Sequence, residues 1–224
     1  MSKISRGDKG EKEVSSFLSK LKEYHHVFNN VTFQNASSEM THQIDHILLH
    51  PHGVFVIETK NYFGEISVNE LTGEWSIKAK WRSHRISNPL RQNKSHSIAL
   101  RKAIKSRIQP IPVVIFVRNN APYLGDENVI NLSDLLLFIE SYPYERLLSN
   151  KELDELKSEI ENASVDISRK EHVENINIIK QVRKETQAEM TYAIEQGKCP
   201  RCETPMENEG FDYRCPKCGY HFSL

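Results

Sequence analysis

Between residues 10 and 21, apolar side chains recur at Val14, Phe17, Leu18 and Leu21, a spacing of three and four that lines one face of a helix. Glu11 falls in the first predicted turn. The spacing then shortens to two, or to brief apolar runs, which predicts strands at 27–33, 41–49, 54–60 and 64–68 and a weaker one at 74–78. Asn88-Pro89 reads as a helix start with proline at the first position, opening a helix expected to reach about residue 107. Residues 111–117 form an apolar run fit for a buried strand, and 133–140 a short helix. The order of elements predicts an α/β fold, a mixed sheet flanked by helices.

After Tyr142-Pro143-Tyr144 the character changes. Ser149 with Glu152, and Ser168 with Glu171, are capping-box patterns that predict a short helix to about Asn162 and a long one to about Glu195. Residues 139–195 hold thirteen acids against eight Lys and Arg. This stretch reads as an acidic helical spacer, giving an expected organisation of 1–145, a linker at 146–196 and a terminal module at 197–224. The apolar positions Val173, Ile176, Ile179, Val182 and Met190 are too irregular for a sustained heptad seam, so self-association stays open.

The strands at 41–49 and 54–60 pair as a hairpin around a four-residue loop, His50-Pro51-His52-Gly53. In that register Leu49 faces Val54, Ile47 faces Val56, Asp45 faces Glu58 and Gln43 faces Lys60, all on one sheet face. Ile44, His46, Leu48, Phe55, Ile57 and Thr59 take the other. Both faces are largely apolar, so the sheet is expected to be covered on both sides. Directly opposed Asp45 and Glu58 would bring two like charges within about 4.5–5.5 Å, a destabilising pair unless a cation sits between them. Such a pair suits Mg²⁺, which takes one or two carboxylates and keeps its other positions for water and phosphate. Lys60, on the same face, is placed to orient water or neutralise a phosphate. His46, His50, His52 and His84 are read as packing or loop residues rather than ligands.

Composition bounds the rest. With 224 residues and 38% apolar content the chain can bury one core, and its formal net charge is zero. The charges are not evenly spread: residues 76–125 contain no acid but eleven Lys and Arg, which points to contact with a polyanion. The polar N-terminus and the lack of a long apolar run predict a cytoplasmic protein with no membrane partner. All four cysteines lie in two knuckles, Cys199/Cys202 and Cys215/Cys218, twelve residues apart. Each C-x2-C knuckle lets two thiolates reach one ion, so the four predict a structural Zn²⁺ site. Residues 197–224 are too few for a core of their own, and the metal would supply much of the folding energy. Tyr213, Tyr220, His221 and Phe222 are expected to pack around or project from this ribbon.

Four ordered pieces of residues 6–130 resemble the nuclease-related domain family, a variant of the PD-(D/E)xK nuclease superfamily: Gly7-Asp8-Lys9-Gly10-Glu11, Gln43-Ile44-Asp45-His46, Val56-Ile57-Glu58-Thr59-Lys60-Asn61 and Asn88-Pro89-Leu90-Arg91-Gln92-Asn93. The resemblance implies a restriction-endonuclease-like sheet in which Asp45 and Glu58 bind Mg²⁺ or Mn²⁺ and Lys60 acts on the nucleophilic water. It also implies that Glu11 reaches the site from the first helix, as a ligand or through water, and that Gln92 approaches from the Pro89 helix. Asn61 and Asn93 are lesser candidates. The alternative for Glu11 is favourable charge at a helix N-terminus. The ribbon is similar to the C-terminal zinc ribbons of bacterial type I topoisomerases, which favours single-stranded or distorted DNA. The expected function is a metal-dependent nuclease in DNA processing or repair, with DNA rather than RNA as the polymer and Trp75, Trp81 and Tyr62 as candidates for stacking on bases. The alternative is a non-catalytic nucleic-acid-binding module with a vestigial site.

Overall fold

The first helix, α1 (Arg6–Leu18), starts four residues earlier than its apolar spacing predicts. The computed structural model describes residues 5–34, 41–125, 128–167, 169–210 and 212–223. The Ser5 hydroxyl accepts from the Asp8 N–H, and the Asp8 carboxylate accepts from the Ser5 N–H, so two otherwise unpaired donors of the first turn are satisfied. Residues 6–13 carry no apolar side chain, and periodicity could not register this turn. Asp8 is thus the first-turn acid, and Glu11 lies one turn further in, buried.

The chain continues through β1 (His26–Gln34), β2 (Thr41–His50) and β3 (Gly53–Lys60), then β4 (Glu65–Val68), β5 (Trp75–Ala79) and β6 (Arg82–Ile86). There follow α2 (Pro89–Ala103), β7 (Ile111–Phe116), β8 (Val129–Asn131), α3 (Leu135–Ser141) and α4 (Asn150–Ala163). Among the described residues β1, β2, β3, β7 and β8 form one sheet in that order, antiparallel across β1, β2 and β3 and parallel across β3, β7 and β8. β4, β5 and β6 form a separate antiparallel sheet. The sequence reading missed β6, whose residues up to Arg85 are all exposed and polar, and β8, which is three residues long.

Both faces of the main sheet are covered, as its two-sided apolar pattern predicts. Leu48, Phe55, Ile57, Val113 and Ile115 pack against Val14 and Leu18 of α1 and Leu135 and Ile139 of α3. Ile47, Leu49, Val54 and Val56 pack on the other side against Leu100 of α2 and Leu153, Leu156 and Ile160 of α4. α2 ends at Ala103, short of residue 107, because Ile104 turns extended and drops its side chain into this second cluster. The first half of the expected spacer is therefore part of the core: α4, opened by the predicted Ser149/Glu152 box, supplies apolar residues at i, i+3 and i+7. The small sheet lays Ile66, Trp75 and Ile77 over Val114 and Phe116. Trp75 is buried and stacked on Phe116 with ring planes 3° apart, so it is not free to stack on a base, whereas Tyr62 packs on the same cluster half-buried.

The hairpin register is the predicted one from His50↔Gly53 to His46↔Ile57, with a two-residue turn, Pro51 and His52, in place of a four-residue loop. At Asp45 the pattern breaks. The β1–β2 ladder runs through every pair except Asn30 and Asp45, and Asn30 adopts a left-handed φ of 56°. Beyond this break the alternation slips, so Ile44 joins Ile47 and Leu49 rather than the opposite face predicted for it.

Contacts divide the chain into two units, Met1–Ser168 and Arg169–Leu224. In the second, α5 (Arg169–Glu195) precedes a three-stranded antiparallel sheet of β9 (Glu207–Glu209), β10 (Asp212–Arg214) and β11 (His221–Ser223). The capping box predicted at Ser168, and the Phe222 side chain, lie outside the described residues. No described helix is long and apolar enough to cross a membrane.

Candidate active site

β3 delivers Glu58 and Lys60, two residues apart, to the face that α2 covers. α2 is aimed by Asn88, whose side-chain oxygen accepts from the Leu90 and Arg91 N–H groups, and it is anchored by Asn93. The fully buried Asn93 amide donates to the Val56 and Val113 carbonyls at 2.9 and 2.8 Å. Asn93 therefore ties helix to sheet, and Gln92 and His96, one turn apart, face the end of β3. Lys60 Nζ lies 2.6 Å from Glu58 Oε1 and donates to Gln92 Oε1 at 3.1 Å. His96 Nδ1 stands 3.3 Å from Glu58 Oε2. His96 escaped the sequence reading, although its place four residues after Gln92 puts both on one helix face.

Asp45 is not opposite Glu58 in a ladder. Its carboxylate accepts the Thr59 N–H at 2.8 Å, taking the position of a strand carbonyl where the pairing ends. Burial raises the Asp45 carboxyl, the charges of Glu58 and Glu11 raise it further, and the Thr59 bond and Lys60 offset only part, leaving it at about 8. Burial also opposes the charge on Glu58, but His96 and Lys60 outweigh it and hold Glu58 below the usual carboxylate range. Lys60 is disfavoured by burial and rescued by Glu58, so its ammonium ends above the ordinary value. The site thus favours charge on Glu58 and Lys60 and disfavours it on Asp45 beside them.

At the ends of β3 and β7, Asn61 donates to the Arg6 carbonyl and accepts from Arg118 Nε, each at 2.9 Å. Both guanidiniums lie over the Phe63 ring, at 5.4 Å for Arg6 and 4.8 Å for Arg118. Gly10 makes this junction possible: a Cβ there would stand 2.9 Å from Asn61 Cβ. His46 is buried and lowered to about 4 by that burial, with Nδ1 2.7 Å from Asn29 Oδ1. His52 donates from Nδ1 to the Ile139 carbonyl, and His84 is exposed on β6.

Among the described residues, Cys199, Cys202, Cys215 and Cys218 are the one group of three or more His, Cys, Asp or Glu placed to share an ion. Their sulfurs lie within 4.8 Å of one another, with Cys199–Cys218 at 3.6 Å and Cys202–Cys215 at 3.5 Å. Tetrahedral zinc with bonds of about 2.3 Å sets sulfurs about 3.8 Å apart, so the cluster is compatible with zinc. None of the four is in a disulfide. Glu11, Asp45 and Glu58 do not converge as such a group.

A family profile described as nuclease-related domain matches residues 6–117. An uncharacterized protein of Bacillus anthracis is 33% identical over 182 residues, covering 77% of this chain and 84% of the relative. No solved structure matches the chain significantly.

Proposed function

The chain belongs to the nuclease-related domain family, and on that footing we propose that it is a Mg²⁺- or Mn²⁺-dependent nuclease that hydrolyses phosphodiester bonds in DNA. The observation that carries this reading is the geometry at the end of β3, where Lys60 Nζ lies 2.6 Å from the buried Glu58 carboxylate and 3.1 Å from Gln92 Oε1, beside Asp45, whose carboxyl is pushed up by burial and by the charges of Glu58 and Glu11. Glu58 Oε2 is buried without a hydrogen bond, so a hard cation held by Asp45 and Glu58 would satisfy one oxygen and relieve the other. Held by Asp45 and Glu58, such an ion would supply a bound water of lowered pKa and polarisation of the scissile phosphate.

The protein's own groups divide the remaining work. Lys60, steered by Gln92, orients the attacking water and neutralises charge developing on the phosphate. His96 holds Glu58 ionised, and Glu11 acts on Asp45 through charge and water. Arg91 and Lys94, exposed on either side of Gln92, grip the DNA backbone without regard to sequence. The four thiolates hold a structural Zn²⁺, and the chain works in the cytoplasm, in DNA processing or repair.

The test is cleavage of end-labelled single-stranded, duplex and branched DNA, and of RNA, with Mg²⁺ or Mn²⁺, beside Asp45→Asn and Lys60→Ala. Metal-dependent products from DNA, lost in both variants, are the expected result. Tight binding with no products on any substrate would replace this reading with the non-catalytic module, and cleavage of RNA alone would correct the polymer.

A further inference from the structure

The β5–β6 hairpin lies in the chain between the strand carrying Glu58 and Lys60 and the helix carrying Gln92. Pairing of Ala79 with Arg82 leaves Lys80 and Trp81 as its two-residue turn. Two features of this tip do nothing for the fold. Trp81 is 98% exposed, whereas the protein's other tryptophan, Trp75, is 2% exposed in the core. Large aromatics are normally kept for burial. Lys80 adopts a left-handed φ of 55°, a position that such turns give to Gly, Asn or Asp because a longer side chain is strained there.

Together they hold an aromatic plane and a cation at one point. Lys78 and Arg82 flank the tip and are exposed, and no acid occurs from residue 76 to 125. Leu71, the other almost fully exposed apolar side chain between β4 and β6, lies in the β4–β5 turn at the opposite end of the small sheet.

We propose that the tip is a binding site for an unpaired nucleobase: Trp81 stacks on the base while Lys80 and Arg82 contact the adjoining phosphates. This rests on the nuclease reading for its ligand and deepens it by naming the substrate class. A base inside a duplex already has neighbours on both faces, so an exposed indole gains contact only where a base is unpaired. Single strands, gaps, flaps and junctions are the DNA forms that offer one.

The experiment titrates the intact protein with a short oligothymidylate and with a blunt duplex, in buffer without added divalent cation. Intrinsic tryptophan emission reports the tip, and anisotropy of labelled DNA reports binding. Single-stranded DNA is expected to quench the exposed-tryptophan emission, and Trp81→Phe, which leaves Trp75 as the sole tryptophan, is expected to abolish the quench while keeping most of the affinity. Trp81→Ala is expected to weaken single-strand binding about tenfold and leave duplex binding unchanged. Full binding with no change in Trp81 emission, or equal affinity in Trp81→Ala, would overturn the proposal. So would a change in sedimentation on Trp81→Ala without a change in DNA binding, which would mark a self-association surface. Quenching without cleavage leaves the tip in place and removes the nuclease reading, whereas cleavage sensitive to Asp45→Asn with a silent Trp81 does the reverse.

Discussion

His96 stands one helical turn beyond Gln92, and its contact with Glu58 keeps that buried carboxylate charged. Replacing it with alanine leaves Lys60 as the partner of Glu58. Under the proposed function, in which Glu58 binds the metal, His96→Ala is expected to lower kcat roughly 10–100-fold, the usual scale for a residue that orients a metal-binding carboxylate. The melting curve should be little changed, and His96→Gln, which keeps a donor, should recover part of the loss. An unchanged kcat would show that His96 is packing only. Asp45 gives a second test, whose sign follows from its proton. In the unfolded chain the carboxyl ionises near 4, but in the fold it holds its proton to about 8. Between these values the unfolded state loses a proton that the folded state keeps, so stability falls as pH rises through that window and the penalty is complete above it. Asparagine cannot ionise. Asp45→Asn without divalent cation should melt above wild type at about pH 8.5 and converge with it near pH 4; parallel curves would mean that Asp45 is already ionised at neutral pH.

Gly10 shows how an element is positioned by what it lacks. A helix-interior glycine costs about 1 kcal/mol relative to alanine, yet a methyl group here would meet Asn61 Cβ at 2.9 Å and Thr59 Cγ2 at 3.3 Å. Gly10→Ala is expected to destabilise the fold by about 1–3 kcal/mol through overpacking, measured by urea titration, and to reduce activity by pushing Glu11 away from Asp45. Stabilisation would show that α1 can shift freely. The elements that could be read from the chain were those with a repeating apolar face on a covered surface: β2, β3, β7, α2 and α4. The start of α1 was hidden because its first two turns hold only polar residues and glycine. The site was legible where it followed register, as at Glu58 and Lys60, and not where it followed a break in register. Nothing in the apolar pattern signals a left-handed Asn30, and so Ile44 was assigned to the wrong face and Asp45 to a ladder position it does not occupy.

The division of the whole chain follows from where apolar surface is needed. Leu153, Leu156 and Ile160 cover one face of the main sheet, and each fully buried aliphatic side chain contributes about 1.5–3 kcal/mol. A chain ending at residue 145 therefore loses stabilisation comparable with the total of about 5–15 kcal/mol available to a domain. It is expected to be unfolded or aggregated, while one ending at residue 168 should give a cooperative melt; a folded 145-residue chain would mean that α4 is dispensable. Withdrawing the proposed zinc from the full chain should release amide protection in residues 197–224 and leave the main sheet protected, as hydrogen exchange would show. Because the Asp45 side chain stands in for a strand carbonyl and accepts from the Thr59 N–H, a relative that does not cleave would still be under selection to retain a side-chain acceptor, Asp or Asn, at this position. An acceptor at position 45 of a relative is therefore poor testimony that the relative cuts, and Lys60 and His96, whose side chains pair with Glu58 rather than with the backbone, would be the better indicators.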